Sequence, residues 1–322
     1  MRIGTRASQL ALRQARQVQE ALAARGVAAE LVTYTTTGDR RLDVALTAIG
    51  GKGLFTKELE DDLLAGRVDS CVHSLKDLPT DGPPGLAVVA RLEREDPRDA
   101  LVLGRAATRA LGAAGGLRSL PSGARVGTSS LRRRAQLLAL RRDVEVVELR
   151  GNVPTRLRKV DEGQVDAAIL AAAGLHRLGA GERVSAYLDP PEWLPAAGQG
   201  AIAVQVRRDD AHAVALFGAL DHAPTTLATR AERAFLAALQ GGCQVPIGAL
   251  AVARGGRHTL YGMLGDVEGA RVVRGECSLD PNDPDDPERA GVALAEELRA
   301  RGGAEILAGL RGAGRVPAPQ PE

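Results

Sequence analysis

The chain has 322 residues, enough for two or three domains with proper cores. Lys and Arg total 42 against 40 Asp and Glu, a net charge of +2, and aromatics make up only 2%; this argues against bulk attraction to nucleic acid and base-stacking on single strands. Cys71, Cys243 and Cys277 lack CxxC spacing, so neither a disulfide framework nor a metal site is expected, and without an export signal or a membrane span the protein reads as soluble and cytoplasmic.

Arg2–Thr5 is predicted as a short strand. A helix follows from Ser8 to about Arg25, with Leu12, Ala15, Val18 and Leu22 on its apolar face. Arg6 and Ser8 then stand at a strand–helix junction, where free N–H groups favour an anion. Ala29–Thr36 alternates as a strand. Beyond it, Gly50, Gly51 and Gly53 surround Lys52 in either an ordinary surface loop or a lid carrying Lys52 over a site. The GxxxxGK[ST] spacing of a phosphate loop is absent. A helix over Phe55–Ala65 leads into Val68–Leu75, whose β-branched and small residues read as a buried strand. Lys76 and Asp77 fall where that strand ends, and Pro79 cannot continue a ladder. Ligands of α/β sheets collect beyond such carboxyl ends. The plainer alternative is an Asp77 carboxylate paired with Lys76 in a turn.

Gly85–Ala90 is another strand, and residues 93–103 cross Pro97 into a new one, which marks a first domain boundary. Residues 104–119, rich in Ala, Gly and Arg, read as a surface insertion without a role. Arg125–Gly127 is a strand. Thr128, Ser129 and Ser130 open a helix carrying Arg132, Arg133 and Arg134, with Leu131, Ala135 and Leu138 as its buried face. Three arginines in a first turn sit at the positive end of the helix dipole, an arrangement that costs stability unless an anion is near; a solvated basic face is the alternative. The strand Val144–Leu149 ends at Arg150, and Asn152 caps a helix with Pro154 and Arg156 in its first turns. Ala167–Ala171 is a buried strand before a short helix to Leu178. The βαβα rhythm over 1–90 and again over 99–178 suggests two similar α/β domains.

A Pro/Gly crossing around Trp193–Gln199 marks a second boundary before a strand at Ala201–Val206. Pro224–Leu239 is a strong helix with Gly241 and Gly242 as its expected C-cap. Strands at Leu250–Ala253, His258–Leu264 and Arg271–Leu279, then a helix at Asp286–Arg301, make a small α+β domain with a frayed tail. Cys71, inside a strand, reads as an inert core thiol, and so does Cys277. Cys243 stands on a loop behind two glycines that permit close approach of a ligand, which makes it a candidate nucleophile, although no His or Asn partner lies nearby in sequence.

In order, the chain contains RIGTRASQLAL, GGKGLFTKELE, VHSLKDLP, EREDPRDAL, GTSSLRRR, LRGNVPTRL, PAAGQGA and GGCQVPIGA. This series resembles the porphobilinogen deaminase (hydroxymethylbilane synthase) family over roughly residues 1 to 310. The resemblance implies an α/β fold: two type II periplasmic-binding-protein-like domains with a central cleft, plus a small α+β C-terminal domain. The implied boundaries are 1–92 with 201–218, then 98–194, then 223–322. It implies joining of porphobilinogen units into the linear tetrapyrrole hydroxymethylbilane with loss of ammonia, on a dipyrromethane primer held by Cys243 through a thioether. Asp77 matches the catalytic acid. Lys76, Thr128, Ser129, Ser130, Arg132, Arg133 and Arg150 match cofactor-binding positions, and Arg6, Ser8, Arg156, Gln199 and Lys52 match substrate-binding ones. A monomer is implied, without nucleic-acid or membrane partners, whose product passes to uroporphyrinogen-III synthase. A hinged binding protein and an RNA-binding protein using the GTSSLRRRAQ helix are the rivals; the loop Cys243 opposes the first, and the near-neutral charge opposes the second.

Overall fold

The computed structural model describes residues 1–36, 56–112, 115–240 and 245–312. Lys52 and Cys243 lie outside the described residues. In chain order the elements begin with β1 (Arg2–Arg6), α1 (Gln9–Ala23), β2 (Glu30–Tyr34), α2 (Lys57–Leu64), β3 (Ser70–Ser74) and β4 (Leu86–Arg91). Next come β5 (Asp99–Leu103), α3 (Arg105–Leu111), β6 (Arg125–Gly127), α4 (Leu131–Leu140), β7 (Glu145–Val147), α5 (Val153–Asp161), β8 (Ala167–Ala171), α6 (Ala172–Arg177) and β9 (Ala186–Leu188). The chain continues through β10 (Ile202–Arg207), α7 (Ala211–Gly218), α8 (Ala223–Ala238), β11 (Ile247–Arg254), β12 (Arg257–Gly265), β13 (Val272–Leu279), α9 (Asp286–Leu298) and α10 (Ala304–Gly312).

These elements form two compact units, residues 1–96 with 198–226 and residues 97–197 with 227–322. The first unit holds a five-stranded sheet in the order β2-β1-β3-β10-β4, with β1 parallel to β2 and β3, and β10 antiparallel to both its neighbours. Residues of β3 alternate between two covered faces, as a strand buried on both sides requires. Val72 packs with Ala15, Val18 and Leu22 of α1, whereas Cys71 packs with Leu59 and Leu63 of α2.

The second unit repeats the plan in a sheet ordered β7-β6-β8-β5-β9, again with three parallel strands beside an antiparallel fourth. Leu101 and Leu103 of β5 face a core with Leu137 and Trp193, and Ala100 and Val102 face one with Val160 and Leu175. The same unit contains the antiparallel β11-β12-β13 sheet, whose core joins Phe235, Leu260, Leu294 and Ile306.

Several expectations change. The described part of 104–119 is not a bare surface insertion: it contains α3 and a 3₁₀ turn, and Leu117, with Leu120 just beyond, is buried with Val126 and Leu137. Three elements, β9, α7 and α10, had no expectation. The α7 stretch AHAVALFG is almost all apolar or Ala and lacks an amphipathic stripe, so its clearest signal is Asp210, which caps it by accepting from Ala213 N at 3.0 Å. At the end of α8 Gln240 takes a left-handed conformation (φ 52°), and the expected cap residues Gly241 and Gly242 lie outside the described residues.

Candidate active site

In the first unit, β3 runs out into a 3₁₀ turn, Leu75–Asp77, with Leu75 buried beneath it. The turn lifts Asp77 into solvent at the carboxyl end of the sheet. Arg6, Ser8 and Asp77 line one hollow with Gln14, His73, Ser74 and Thr56. Ser8 caps α1, its Oγ accepting from Ala11 N at 3.3 Å, so the end of β1 and the N-terminus of α1 deliver Arg6 and Ser8 together.

Lys76 does not pair with Asp77. Its Nζ donates to Gln199 Oε1 at 3.3 Å, and Arg94 Nε donates to the Gln199 carbonyl at 2.8 Å. Gln199 is held between two glycines that no other residue replaces cheaply. Gly200 has φ +90°, and a Cβ there would stand 2.3 Å from Glu95 O; Gly198 has φ +74° and its Cβ would stand 2.9 Å from Leu75.

Gln14, Ser74, His73 and Thr56 belong to the hollow but carried no expectation. Gln14 Nε2 donates to Ser74 Oγ at 2.8 Å. A signal was present, since Gln14 is a polar residue four positions before Val18 on the apolar face of α1. His73 sits in a buried chain: its Nε2 lies 3.2 Å from Gln205 Oε1, Gln205 Nε2 donates to Glu60 Oε1 at 3.1 Å, and Thr56 Oγ1 donates to Glu60 Oε2 at 3.0 Å. Burial pushes the His73 imidazole down to about 4; the hydrogen bond with Gln205 opposes the shift and the Arg6 charge adds to it.

In the second unit, the carboxyl ends of β6 and β7 carry the other expected residues. Ser130 caps α4, accepting from Arg133 N at 3.4 Å; Ser129 Oγ donates to Leu149 O at 2.8 Å; Thr128 Oγ1 accepts from Ser130 N at 3.2 Å. Arg150 is half-buried with Glu148 Oε1 3.8 Å away. Asn152 caps α5 by accepting from Thr155 N at 3.0 Å, and half-buried Arg156 donates through Nε to Gly151 O at 2.8 Å.

The expected buried face of α4 is corrected. Leu131 and Leu138 are only half-buried, whereas Arg132, Arg133, Ala135, Gln136 and Leu137 face inward. The anion that makes this tolerable is the chain's own Asp99, fully buried at the start of β5. Asp99 Oδ2 accepts from Arg132 Nη1 at 2.7 Å and from Trp193 Nε1 at 2.8 Å. Its Oδ1 accepts from Arg133 Nε at 3.1 Å and Nη2 at 2.7 Å. Each carboxylate oxygen thus accepts from two N–H groups. Burial alone would raise the Asp99 pKa, but the two guanidiniums outweigh it and hold the group well below the usual carboxylate range.

The described cysteines are inert. Cys71 is fully buried and donates to Leu59 O at 3.4 Å, and burial pushes its thiol up. Half-buried Cys277 donates to Ala290 O at 3.6 Å, and burial pushes it up to about 11. Among the described residues no group of His, Cys, Asp and Glu is placed to hold a metal, and no helix is long and apolar enough to cross a membrane.

Comparison with known families matches residues 1–215 to "Porphobilinogen deaminase, dipyromethane cofactor binding domain" and residues 226–300 to "Porphobilinogen deaminase, C-terminal domain". The porphobilinogen deaminase of Pelobacter propionicus is 50% identical over 309 residues, covering 95% of this chain and 96% of its own. That of Roseiflexus castenholzii is also 50% identical over 309 residues, covering 95% and 98%. Among solved structures, the methionine-binding protein MetQ aligns over 68% of this chain and 89% of its own, with 16% identity and a TM-score of 0.42.

Two outcomes are expected. Asp99→Asn leaves two buried guanidiniums facing a neutral amide and should cost about 3–5 kcal/mol of stability, read from urea unfolding. Because His73 stays neutral in the folded state down to about pH 4 while the unfolded ring protonates below about 6.5, the unfolded state binds more protons between those values. Stability should therefore fall as pH drops from 6.5 to 4, by roughly 1 kcal/mol per unit from this residue, and that contribution to the slope should be absent from His73→Gln.

Proposed function

This chain belongs to the porphobilinogen deaminase family, and on that premise we propose that the hollow around Asp77 is where porphobilinogen reacts. The protein is a transferase of porphyrin and haem biosynthesis that works with a dipyrromethane cofactor. The observation that carries the reading is a solvent-facing Asp77, without Lys76 as a partner, in one hollow with Arg6 and Ser8.

The residues fit the cofactor's chemistry. Dipyrromethane presents carboxylates, and the second unit sets two buried guanidiniums against one carboxylate, a local excess of one positive charge at the start of α4. Arg150, after β7, and Arg156, in the first turns of α5, add cations, and Thr128, Ser129 and Ser130 add hydroxyls. Arg132 and Arg133 would share a cofactor carboxylate with Asp99 rather than meet it as free cations, so their role combines charge with holding the strand end in place. Lys76, turned to Gln199, is assigned to the same anionic group. We assign covalent attachment to Cys243. The two described cysteines are both buried or half-buried, hydrogen-bonded to backbone and held as thiols, which leaves Cys243 as the candidate for a thioether. When bound, the dipyrromethane supplies the free pyrrole α-carbon to which the first unit is joined.

The chain's own residues do the rest. Arg6 and Arg156 bind substrate carboxylates with a planar fork that stays charged at any working pH. As the protonated aminomethyl group leaves as ammonia, its C–N bond breaks and positive charge spreads onto the pyrrole N–H; a carboxylate within reach of that N–H lowers the energy of the charge as it develops. Asp77 is assigned that role, together with removal of the proton from the α-carbon that forms the new C–C bond. Ser8 and Gln199 orient the substrate's polar groups, and Lys52, outside the described residues, is assigned to substrate binding.

The finer architecture is also proposed: two α/β domains of the type II periplasmic-binding kind, 1–92 with 201–218 and 98–194, and an α+β domain 223–322. Two matching sheets in the order of three parallel strands plus an antiparallel one support the first part. A separate core around Phe235 supports the last. We further propose a cytoplasmic monomer whose product, hydroxymethylbilane, passes to uroporphyrinogen-III synthase.

Incubation with porphobilinogen should release ammonia and a linear tetrapyrrole. Intact mass should exceed the sequence mass by a dipyrromethane, and Cys243→Ser should lose that increment. An unmodified thiol after exposure to porphobilinogen would remove Cys243 from its role.

A further inference from the structure

His73 is a buried polar side chain in the reactive hollow that the chemistry above does not use. It lines the hollow at 5% exposure, on the face of β3 that looks towards α2. Its Nε2 is spent on Gln205 Oε1. The orientation of the Gln205 amide is fixed from behind, because Gln205 Nε2 must donate to Glu60 Oε1, and the other Glu60 oxygen accepts from Thr56. With the amide oxygen turned to the imidazole, the proton belongs on His73 Nε2, and Nδ1 keeps its lone pair. Among the described residues Nδ1 has no hydrogen-bond partner, and the ring that carries it lines the hollow.

We propose that His73 is a substrate-binding residue whose Nδ1 accepts a hydrogen bond from the aminomethyl nitrogen of porphobilinogen, with the buried Glu60–Gln205 pair fixing the tautomer that makes this possible. The inference rests on the hollow being the porphobilinogen site. The substrate offers two kinds of nitrogen donor there, the pyrrole N–H and the aminomethyl group. Asp77 is assigned to the first, and Nδ1 is a buried acceptor available to the second. Burial and the nearby Arg6 charge keep the ring neutral at physiological pH, so it remains an acceptor and adds no cation to a site that must take up a protonated amine.

Asn and Gln separate the two ring nitrogens, since an Asn side chain places its polar atoms near Nδ1 and a Gln side chain reaches Nε2. His73→Gln should keep the link to Gln205 yet raise KM for porphobilinogen roughly tenfold, and His73→Asn should recover most of that loss. Unchanged KM in His73→Gln would overturn the proposal. Nitrogen-15 NMR gives a test that does not depend on how the His73 variants fold. The resting holoenzyme should show a neutral Nε2–H ring at His73, and an Nδ1–H tautomer would overturn the proposal. On adding porphobilinogen to holo Asp77→Asn, the Nδ1 resonance should move upfield. If signals from Gln14 and Ser74 move while Nδ1 does not, this inference fails and the hollow stands as the site. If none of them moves, the reading of the hollow itself fails.

Discussion

A single carboxylate, Asp99, holds two buried guanidiniums and an indole N–H at the start of one strand. Much of the second unit's arrangement depends on that contact. Arginines in the first turn of α4 lie against the positive end of a helix dipole, and taking them out of water adds a desolvation cost of several kcal/mol each. One carboxylate opposite two guanidiniums holds the cluster in place and leaves an excess of positive charge among these three groups. The remaining positive charge stands where the loops after β6 and β7 gather hydroxyls and two further arginines. The same contact ties the chain from Trp193 onwards: Leu194 O accepts from Arg132 and Gln136, and Leu194 packs with Leu250 and Met263 of the third sheet.

The first unit solves the opposite problem. The acid proposed as its reactive group must stay available, so the cation next to it in sequence has to be engaged elsewhere. Lys76 reaches Gln199, and Gln199 is fixed by a backbone that bends tightly at Gly198 and Gly200. Asp77 is left facing solvent at the end of β3, with Arg6 in the same hollow. A surface ion pair between Lys76 and Asp77 would have been worth little in stability, so its absence costs the fold little.

Much of this was legible in the sequence for local reasons. Ser8, Ser130 and Asn152 are good caps, and each caps the helix it precedes. The ends of β1 and β3 follow from a charged residue or a proline where the strand stops. What was hidden depends on contacts far apart in the chain. Nothing near GTSSLRRR says that its counterion is Asp99, more than thirty residues away; without that partner the leucines are the natural choice for the buried face of α4. The polar lining made by Gln14, Ser74 and the His73–Gln205–Glu60 chain was missed for a similar reason. Each of these residues looks like an ordinary polar interruption until the sheet brings β3, β10 and α2 together. The stretch AHAVALFG shows a different limit, because a nearly uniform apolar run carries no period from which to read a helix.

The central claim is that Asp77 acts on charge that develops during reaction and does not hold the fold together. Single-turnover kinetics on the holo Asp77→Asn protein, beside its urea unfolding curve, tests this most directly. The account predicts an unfolding midpoint close to that of the wild type, porphobilinogen still bound, and a rate of ammonia release lower by several orders of magnitude. A rate within a few-fold of wild type would contradict it, and so would a rate that falls only because the protein no longer folds.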